Sequence, residues 1–579
     1  MTRSTTAVGI GVDSPMARTA QGKFCLPESL VKGRVLEAVE ELWGLGLFQF
    51  EPDDLFGEQS DKGDWSAKRA RLRFEEFTND AGPGGRRYRI ALDGDLRSVK
   101  KGAMQVLESP YGAGTEAVFR GGARLVAESE TEANEIRTAL QRAFRLVTSF
   151  GGERTIGFGR VKAVEFGKLA AVEGNAVTAS GDRFALSLEP LAPFCLAQRR
   201  ADDNLFESET NIPGGVIRAC VATAWMEHLG KKGVVKIEPD SDPKRKELCE
   251  QFSQIRFLHA FPTRKGSGVR AATAPLSLIQ CPGNNAWFGD VLLQEKAVVL
   301  HAGERGEKRI APAFAIDWKS DNGVSEAFGQ ESPRRHLRVR TALSAQTRAA
   351  KKEQLFAMET VVPDGFEWAF QVDLRGVLKD REKVAAQLLE VLSMPIGSMG
   401  KTDAPAVIRA GNEWATPELA KEQSPGTGLY AITLQTPGLL CDPLTLKEAS
   451  GDGSLASAYK AYFQKASGEA LELQRFFASQ TLAGGRYLHQ HFRRGKGYRP
   501  WLLTDAGSVF LLKTLNDEAD AVIDNWRQYG MPLPEWSGYD FGRSWGDCPY
   551  HPVNGFGEIL VNISVHVRNG LKEGEYDAI

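Results

Sequence analysis

The chain has 579 residues, a length that favours several domains, each able to bury a core of its own. Its composition, 42% hydrophobic and 25% charged, is typical of globular proteins, and its formal net charge of −2 argues against a free, nonspecific nucleic-acid binder. No apolar run approaches the roughly 20 residues of a membrane span. Seven scattered cysteines form no Cys-x-x-Cys pair, so the sequence indicates neither a zinc site nor a disulfide framework and fits a reducing cytoplasm.

One pattern occurs twice in the chain. The segments Leu26–Arg34 and Ile212–Ala219 each combine a proline-containing turn with the start of a helix whose apolar residues are spaced by three and four positions. Each helix carries a cation near its start, Lys32 in the first copy and Arg218 in the second. A repeated pattern of this kind predicts two related domains in tandem.

A glycine-rich loop follows each turn–helix much later in the sequence, at 151–159 and at 554–558. An amphipathic helix is predicted before the first loop, over 132–147, and a strand after it, over 161–166. A dinucleotide-binding loop has a strand before it and a helix after it, so that function is disfavoured. The glycines either allow a tight turn or let backbone N–H groups of the loop bind an anion. The cations beside them that favour the anion are Arg154, Arg160 and Lys162.

The mixture of strands and helices predicts an α+β fold, not a strictly alternating α/β fold. The first domain is predicted over residues 1–168 and is followed by a small, polar linker over 169–183. The second and larger domain, with insertions, is predicted over 184–579 and begins with a strand at 184–188.

Three further elements follow from local patterns. Basic and apolar residues alternate over 69–77, which predicts a strand with one basic face. A similar short strand is predicted over 87–92. Residues 440–480 are predicted to be helix-rich, and core helices are favoured there over an inserted helical segment.

Three local basic clusters stand out against the nearly neutral total charge, at 86–89, at 334–352 and at 493–499. Clusters of this kind are needed for phosphate binding, because each neutralised phosphate releases counterions. The alternative is a solvated cationic face. In the third cluster, glycine and tyrosine favour a loop that approaches an RNA backbone and stacks a base.

Two acid–base candidates follow from position. His489 and His491 lie beside the third basic cluster and are candidates for acid–base chemistry in RNA cleavage; phosphate contacts or a surface role are the alternatives. Asp13 lies in a glycine-containing segment just ahead of the first turn–helix. Its carboxylate could hold a divalent ion beside a phosphate, although Asp-Ser-Pro is by itself a turn signal.

Taken together, these motifs resemble the RAMP proteins of type III CRISPR–Cas effector complexes. Both turn–helices resemble the glycine-containing turn–helix of that family, and both late loops resemble its glycine loop. Asp13, the Pro27 turn, residues 55–57 and the strand at 69–77 are similar to the subunit that forms the filament backbone. The second domain resembles the type III-D subunit that caps the filament at the crRNA 5′ tag, through the segments 212–225, 255–262, 336–343, 354–356, 506–510 and 555–558.

The resemblance implies two tandem RAMP domains built on ferredoxin-like, RRM-like folds. It also implies that Asp13 cuts target RNA with Mg²⁺ or another divalent cation. The implied RNA-binding cations are Lys32, Arg34, Arg154, Arg160, Lys162, Arg218, Arg338, Arg340, Arg493, Arg494 and Lys496. Two departures stand out: Glu28 replaces a glycine of the first turn, and most of the first strand of the first domain is expected to be missing before Thr5.

The predicted function is that of a crRNA-binding subunit of a type III RNA-guided effector complex, which holds the guide and its 5′ tag and cleaves paired target RNA. Its expected partners are crRNA, target RNA, further RAMP backbone subunits, a large polymerase-like subunit and a small helical subunit, without a membrane. One alternative is a non-catalytic scaffold of the same complex. Another is a crRNA-processing ribonuclease that uses His489 and His491. A further alternative is a nucleotide-utilising enzyme, which only the glycine loops support.

Overall fold

A computed structural model gives the fold. It describes residues 12–13, 15–58, 69–80, 85–95, 97–112, 114–152, 157–169, 174, 176–202, 205–231, 237–280, 288–294, 298–302, 307–310, 322–343, 350–411, 413–441, 453–485, 501–534, 548–570 and 576–578.

The first unit contains two long helices and several very short strands. Its elements are β1 (Phe24–Leu26), α1 (Glu28–Gly44), α2 (Pro52–Phe56), β2 (Leu72–Phe74), β3 (Phe77–Asn79), β4 (Gly85–Arg89), β5 (Gln105–Ser109), β6 (Ala123–Leu125) and α3 (Glu130–Leu146). The strands form three separate antiparallel pairs, β1 with β3, β2 with β6 and β4 with β5. The apolar faces of α1 and α3 bury Val35, Val39 and Ile136 in one core.

A capping arrangement fixes the start of α3. The hydroxyl of Ser129 accepts a hydrogen bond from the N–H of Glu132, and the Glu132 carboxylate accepts one from the N–H of Glu128 at 2.6 Å. The first bond satisfies an N–H of the first helical turn, and the second ties the residue before the N-cap to that turn, so both support the start of α3 at this point.

The second unit is built on a six-stranded antiparallel sheet. Its elements are β7 (Arg183–Pro190), β8 (Ala197–Asp202), β9 (Leu205–Ser208), α4 (Gly214–His228), α5 (Lys246–Gln251), β10 (Arg256–Phe257), β11 (Phe261–Arg264), β12 (Leu278–Gln280), β13 (Phe288–Asp290), β14 (Val298–Ala302), β15 (Glu307–Ile310), α6 (Asn322–Ala327), β16 (Arg335–Leu343), β17 (Ala350–Val361), β18 (Phe366–Asp373), α7 (Arg381–Leu392), β19 (Ile396–Met399) and β20 (Ala404–Ala410). The sheet has the order β10-β18-β7-β20-β19, and β11 also pairs with β18.

The chain order within this sheet is βαββαβ. The first strand, β7, lies between the third, β18, and the fourth, β20, while β10 and β11 occupy the second position. Both α4 and α7 contribute to the same core as this sheet. A separate four-stranded sheet, β16-β17-β9-β8, is inserted into the unit.

The third unit repeats the same connectivity. Its elements are β21 (Leu429–Leu434), α8 (Gly453–Ala466), β22 (Leu471–Phe477), β23 (Gln480–Ala483), β24 (Trp501–Thr504), β25 (Val509–Thr514), α9 (Ala519–Tyr529), β26 (Ile559–Val561), α10 (Val565–Arg568) and β27 (Tyr576–Ala578). The sheet order is β22-β25-β21-β26, so the first strand again lies between the third and the fourth. The segment predicted as one domain with insertions, 184–579, therefore contains two βαββαβ units.

Several sequence predictions need correction. Residues 161–166 form no strand, and the predicted strand at 69–77 is broken into β2 and β3. Over 440–480, α8 lies in the core as favoured, but residues 471–477 form the strand β22, because their apolar side chains pair across the sheet with β25. The predicted linker ends at residue 182, since Arg183 already begins β7.

A buried contact between His566 and Asp290 joins α10 to β13. The Nδ1 atom of His566 lies 3.1 Å from Oδ1 of Asp290, and the hydroxyl of Ser277 donates to Oδ2 at 2.6 Å. Burial opposes the ionisation of Asp290, but His566, Ser277 and the N–H of Leu292 outweigh burial and hold its pKa below the ordinary value.

Asp290→Asn should lower the free energy of unfolding at neutral pH by about 1.5–3 kcal/mol, because it removes the charged acceptor of the buried hydrogen bonds from Ser277 and the N–H of Leu292. A group with a lowered pKa stabilises the fold above its ordinary pKa and loses that effect as the pH falls through the folded-state pKa. The difference between wild type and variant should therefore shrink below about pH 4. Urea unfolding at both pH values measures it. The exposed Asp517→Asn is the control, and an equal effect of both variants would contradict the assignment.

Candidate nucleic-acid interface

Asp13 lies against the β4–β5 hairpin. Its N–H donates to the carbonyl of Val106 at 2.8 Å, and its Oδ2 accepts from the N–H of Val106 at 2.6 Å. Three residues later, the N–H of Met16 donates to the carboxylate of Glu108 at 2.8 Å. These bonds align the segment with β5 and fix an exposed carboxylate beside the hairpin.

The hairpin itself exposes large apolar side chains next to cations. Tyr88 is 63% exposed and Arg86 is also exposed, while the Arg87 guanidinium lies 5.5 Å from the ring centroid of Phe158 in the first glycine loop. The other exposed apolar residues on and beyond the hairpin strands are Ile90, Leu92, Val99 and Met104. Exposed aromatic and basic side chains together are suited to stacking a base and neutralising a phosphate. Asp13, the hairpin and the glycine loop therefore form one continuous surface.

A divalent cation fits this surface in one coordination mode. In the described part of the chain, no group of three His, Cys, Asp or Glu residues could hold a metal ion. Mg²⁺, however, commonly uses one or two carboxylates, with water and substrate phosphate as its other ligands. The exposed carboxylate of Asp13 fits such an ion only if RNA supplies the remaining oxygens.

The predicted cations on α1 differ in their surroundings. Lys32 is half-buried, and burial lowers the pKa of its ammonium while Asp403 opposes that shift. Arg34 pairs with Glu37, and its Nε donates to the carbonyl of Ser149 at 3.3 Å, which ties α1 to the start of the glycine loop. Lys32 thus faces the second unit, whereas Arg34 supports the loop.

Two of the predicted cations at the first glycine loop lie in the described part of the chain, and both are exposed. Arg160 is exposed and has no ion pair among those of the described residues, while Lys162 is exposed and pairs with Glu116. Arg154 lies outside the described residues, as do the predicted contacts Arg493, Arg494 and Lys496 and the two candidate histidines, His489 and His491.

Arg218 is a core residue, contrary to its predicted role in RNA binding. It is 2% exposed, and its guanidinium donates to the carbonyls of Phe252 and Ile255 at 2.9 and 2.7 Å and to Oδ1 of Asn554 at 3.2 Å. Burial lowers its pKa to about 9. Because the protein's own oxygens occupy this guanidinium, it is not available to a phosphate.

Arg338 and Arg340 on β16 also make contacts within the chain. Arg338 pairs with Glu76 and lies 3.7 Å from Glu28, and Arg340 pairs with Glu28. Only 12% of the Arg338 side chain is exposed. The charge that the sequence analysis assigned to phosphate is therefore largely matched by carboxylates of the first unit. Glu28, the departure from glycine in the first turn, is one of these carboxylates.

The second glycine loop lies at the contact between the second and third units. Gly555 and Gly557 have φ values of +86° and +67°, and a Cβ at Gly555 would lie 2.7 Å from the carbonyl of Phe257. The N–H of Gly557 donates to the carbonyl of Pro437 at 2.9 Å. These glycines let the third unit pack on the second, and their N–H groups bond within the chain.

Ion pairs between the first two units form a seam that was not predicted from the sequence. Arg73 forms a bidentate ion pair with Glu227 at the end of α4, and both side chains are mostly buried. Arg69 bonds to Ser398 and lies 3.8 Å from Asp403. The alternating arginines of 69–77 were the signal, but sequence alone did not show that acids of the second unit face them.

Comparisons with known proteins give weak structural likenesses. Two cryo-EM structures of the type III-B Cmr-β complex bound to cognate target RNA, one of them also with AMPPnP, match with TM-scores of 0.29 and 0.30 and 11% identity. The match without AMPPnP covers 59% of this chain and 89% of the other chain. The match with AMPPnP covers 56% of this chain and 86% of the other chain. A Csm3–Csm4 subcomplex of the type III-A interference complex matches with a TM-score of 0.26 and 12% identity, over 58% of this chain and 95% of that one. Superpositions this weak assign neither a fold nor a function.

Comparisons of the sequence with protein families and with curated proteins identify no relative of the chain. No protein-family model and no curated protein matches the chain. Among the described residues, no helix is both long and apolar enough to span a bilayer.

The substitution Arg218→Ala distinguishes a structural role of this residue from a role in RNA binding. Arg218→Ala leaves several buried carbonyls without a donor, and hydrogen bonds to charged groups contribute about 1.5–3 kcal/mol each, so we expect unfolding to become easier by at least 3 kcal/mol. Chemical denaturation measures this loss. Arg160→Ala, at an exposed position, should change stability by about 0.5 kcal/mol or less. Weaker RNA binding by Arg218→Ala at unchanged stability would refute the core assignment.

A charge exchange tests the Glu28 contact. Glu28→Arg places a third cation beside Arg338 and Arg340 and should destabilise the chain. Adding Arg340→Glu should recover about 1 kcal/mol, within the range measured for contacting pairs. The coupling energy comes from a double-mutant cycle of thermal unfolding. Glu418→Lys, at an exposed ion pair, should show no coupling to Arg340→Glu; an equal coupling there would argue against a specific contact.

Proposed function

We propose that this chain is an RNA-binding subunit of a type III CRISPR RNA-guided effector complex and that Asp13 takes part in cleaving target RNA. The observation that carries the proposal is the position of Asp13, a carboxylate fixed by Val106 at the side of an exposed hairpin that also contacts the first glycine loop. The sequence resemblance of both turn–helices to RAMP proteins supports the choice of complex.

RNA would be held by the hairpin and the glycine loop. Phosphates would contact Arg86 and Arg160, which are exposed, and unpaired bases would stack on Tyr88. Sequence selection would come from pairing between guide and target, as in other guided systems. Of the cations assigned from sequence, Arg218, Arg338 and Arg340 have structural partners and are not part of this proposal.

Asp13 would act beside a phosphate of the target. A divalent ion bound there would stabilise negative charge on the scissile phosphate or activate a water. The residues of the chain would hold the carboxylate in place through the two Val106 bonds and would position the strand through the hairpin.

The second and third units would bind the crRNA 5′ tag, with further RAMP subunits, a large polymerase-like subunit and a small helical subunit as neighbours in the cytoplasm. This part of the proposal rests on the resemblance of the segments after residue 184 to the capping subunit.

A non-catalytic scaffold is the second candidate function. One observation favours it: one carboxylate oxygen of Asp13 already accepts a hydrogen bond from the N–H of Val106. In that case the same surface would hold RNA without cutting it.

Asp13→Ala in the assembled complex distinguishes the two functions. With guide, labelled target RNA and Mg²⁺, we expect at least a 100-fold loss of cleavage at one or more positions, while target binding changes less than twofold. Asp95→Ala, an exposed acid in the hairpin loop, is the matched control and should cut normally.

Unchanged cleavage by Asp13→Ala, with binding intact, would leave the scaffold function. Incubating the isolated wild-type protein with precursor crRNA and a chelator tests the remaining alternative, since histidine-based processing needs no metal. Cleavage there would favour the crRNA-processing ribonuclease.

A further inference from the structure

Three strands of the second unit place two arginines on either side of an aspartate. In the sheet register, Asp373 of β18 lies opposite Arg183 of β7 on one side and opposite Arg256 of β10 on the other. Residues directly opposite each other on neighbouring strands project from the same face of a sheet. Phe184, the next residue of β7, lies in the core with α4 and α7. The three charged residues therefore belong to the other face of the sheet.

The third unit packs against this face of the sheet. Nε of Arg256 donates to the carbonyl of Pro552 at 3.1 Å, and Nη1 donates to the carbonyl of Gln528 at 2.6 Å. Only 5% of Arg256 is exposed, and its Nη2 is buried without an acceptor in the described part of the chain. Arg256 therefore brings a positive charge to the contact between the two units without a carboxylate partner of its own.

Both carboxylates buried at this contact already have arginine partners. Nε of Arg375 lies 3.0 and 3.1 Å from the two oxygens of Asp373. Arg270 donates to both oxygens of Glu558, each at 2.8 Å. Each carboxylate therefore holds one guanidinium, and neither is left to neutralise a further arginine.

The charges of this cluster do not balance. Burial lowers the pKa of Arg256 to about 10, and the carboxylates of Glu558 and Asp373 oppose that shift. The nearby guanidinium groups of Arg183 and Arg375 add to it. Together with the arginine that holds Glu558, four guanidinium groups face two carboxylates. Excess charge of one sign at a buried contact is unfavourable unless an ion of the other sign accompanies it.

Arg183 is the most accessible member of the cluster. It is exposed, and its guanidinium forms no hydrogen bond or ion pair within the described part of the chain. Nη1 of Arg375 forms no hydrogen bond there either, and 30% of that side chain is exposed. Asp182, next to Arg183 in sequence, pairs with Arg381 at 2.7 Å. Donors of two guanidinium groups are therefore available at this end of the sheet.

We propose that Arg183 and Arg375 bind a phosphate group at this end of the sheet, with the buried charge of Arg256 close to them. A phosphate presents several oxygens that two guanidinium groups can share, and its negative charge offsets the excess. A carboxylate of a partner protein supplies only two oxygens and is the competing occupant. The proposed function makes the RNA backbone the source of the phosphate, and only this part of the inference rests on that function.

Inorganic phosphate is the first probe, in thermal unfolding of the full chain. Millimolar phosphate should raise the Tm of wild type by about 2 °C more than that of Arg183→Ala, because a ligand stabilises the state that binds it. Arg409→Ala is the matched control and should respond like wild type. Arg409 is exposed on the same face of the same sheet, but it pairs with Glu189 at 2.9 Å. An equal response of wild type and Arg183→Ala, or an equal Tm gain from acetate, overturns the proposal.

Single-stranded RNA is the second probe and identifies the source of the phosphate. At about 0.1 M salt, Arg183→Ala should bind labelled RNA about tenfold more weakly than wild type and release about one counterion fewer. Arg183→Lys keeps the charge, so it should lose less affinity and retain the salt dependence of wild type. Arg409→Ala should bind RNA like wild type.

The outcomes separate this inference from the proposed function. If wild type binds RNA and Arg183→Ala binds it equally well, the RNA backbone does not occupy the site, and the assignment of the source is wrong. If wild type binds no RNA, the proposed function fails, while the response to inorganic phosphate still decides whether the site exists.

Urea unfolding without ligand excludes a structural explanation. Arg183 has no partner in the described part of the chain and lies among like charges, so Arg183→Ala should not lower the urea midpoint of the free protein. A lower midpoint would assign Arg183 to the fold and overturn the proposal.

Discussion

Buried arginines join the units of this chain, and the constraint behind them is that a guanidinium removed from water must have its donors satisfied. Arg73 joins the first unit to Glu227 in the second through two parallel hydrogen bonds. Arg218 and Arg270 join the second unit to Asn554 and Glu558 in the third. Breaking such a contact costs far more than losing an exposed ion pair, because it leaves a charge or carbonyl buried without a partner. The relative placement of the units therefore depends on a few residues.

This constraint changes what a basic cluster means in this protein. The basic strand segment at 69–77 and the cluster at 334–352 are as cationic in sequence as a phosphate-binding surface, yet carboxylates of the same chain face Arg71 and Arg338. Within the described ranges, the β4–β5 hairpin and the glycine loop keep exposed positive charge, at Arg86 and Arg160. The nearly neutral net charge agrees with this division, since much of the basic charge is matched internally.

The sequence predicted the parts of the fold that depend on local pattern. The two turn–helices, the amphipathic helix α3 and the α+β class follow from apolar spacing, which acts within a few positions of the chain. The sequence did not predict that 184–579 holds two βαββαβ units, because β22 and α8 have similar apolar density and only pairing with β25 distinguishes a strand there. Nor did it predict that 161–166 would lack a ladder, since a strand needs a neighbour as well as a strand-forming sequence.

The sequence by itself determined which residue types stand at the candidate site: an aspartate before the first helix, cations and an aromatic on a hairpin, and glycines in a loop. The tertiary structure decided which of these meet. It set Asp13 beside Val106, brought Arg87 to Phe158 in the glycine loop, and withdrew Arg218 into the core. The physical reason is that the sequence fixes which chemical groups are present and in what order. Whether a group is free to bind a ligand depends on its burial and on partners that are distant in the sequence.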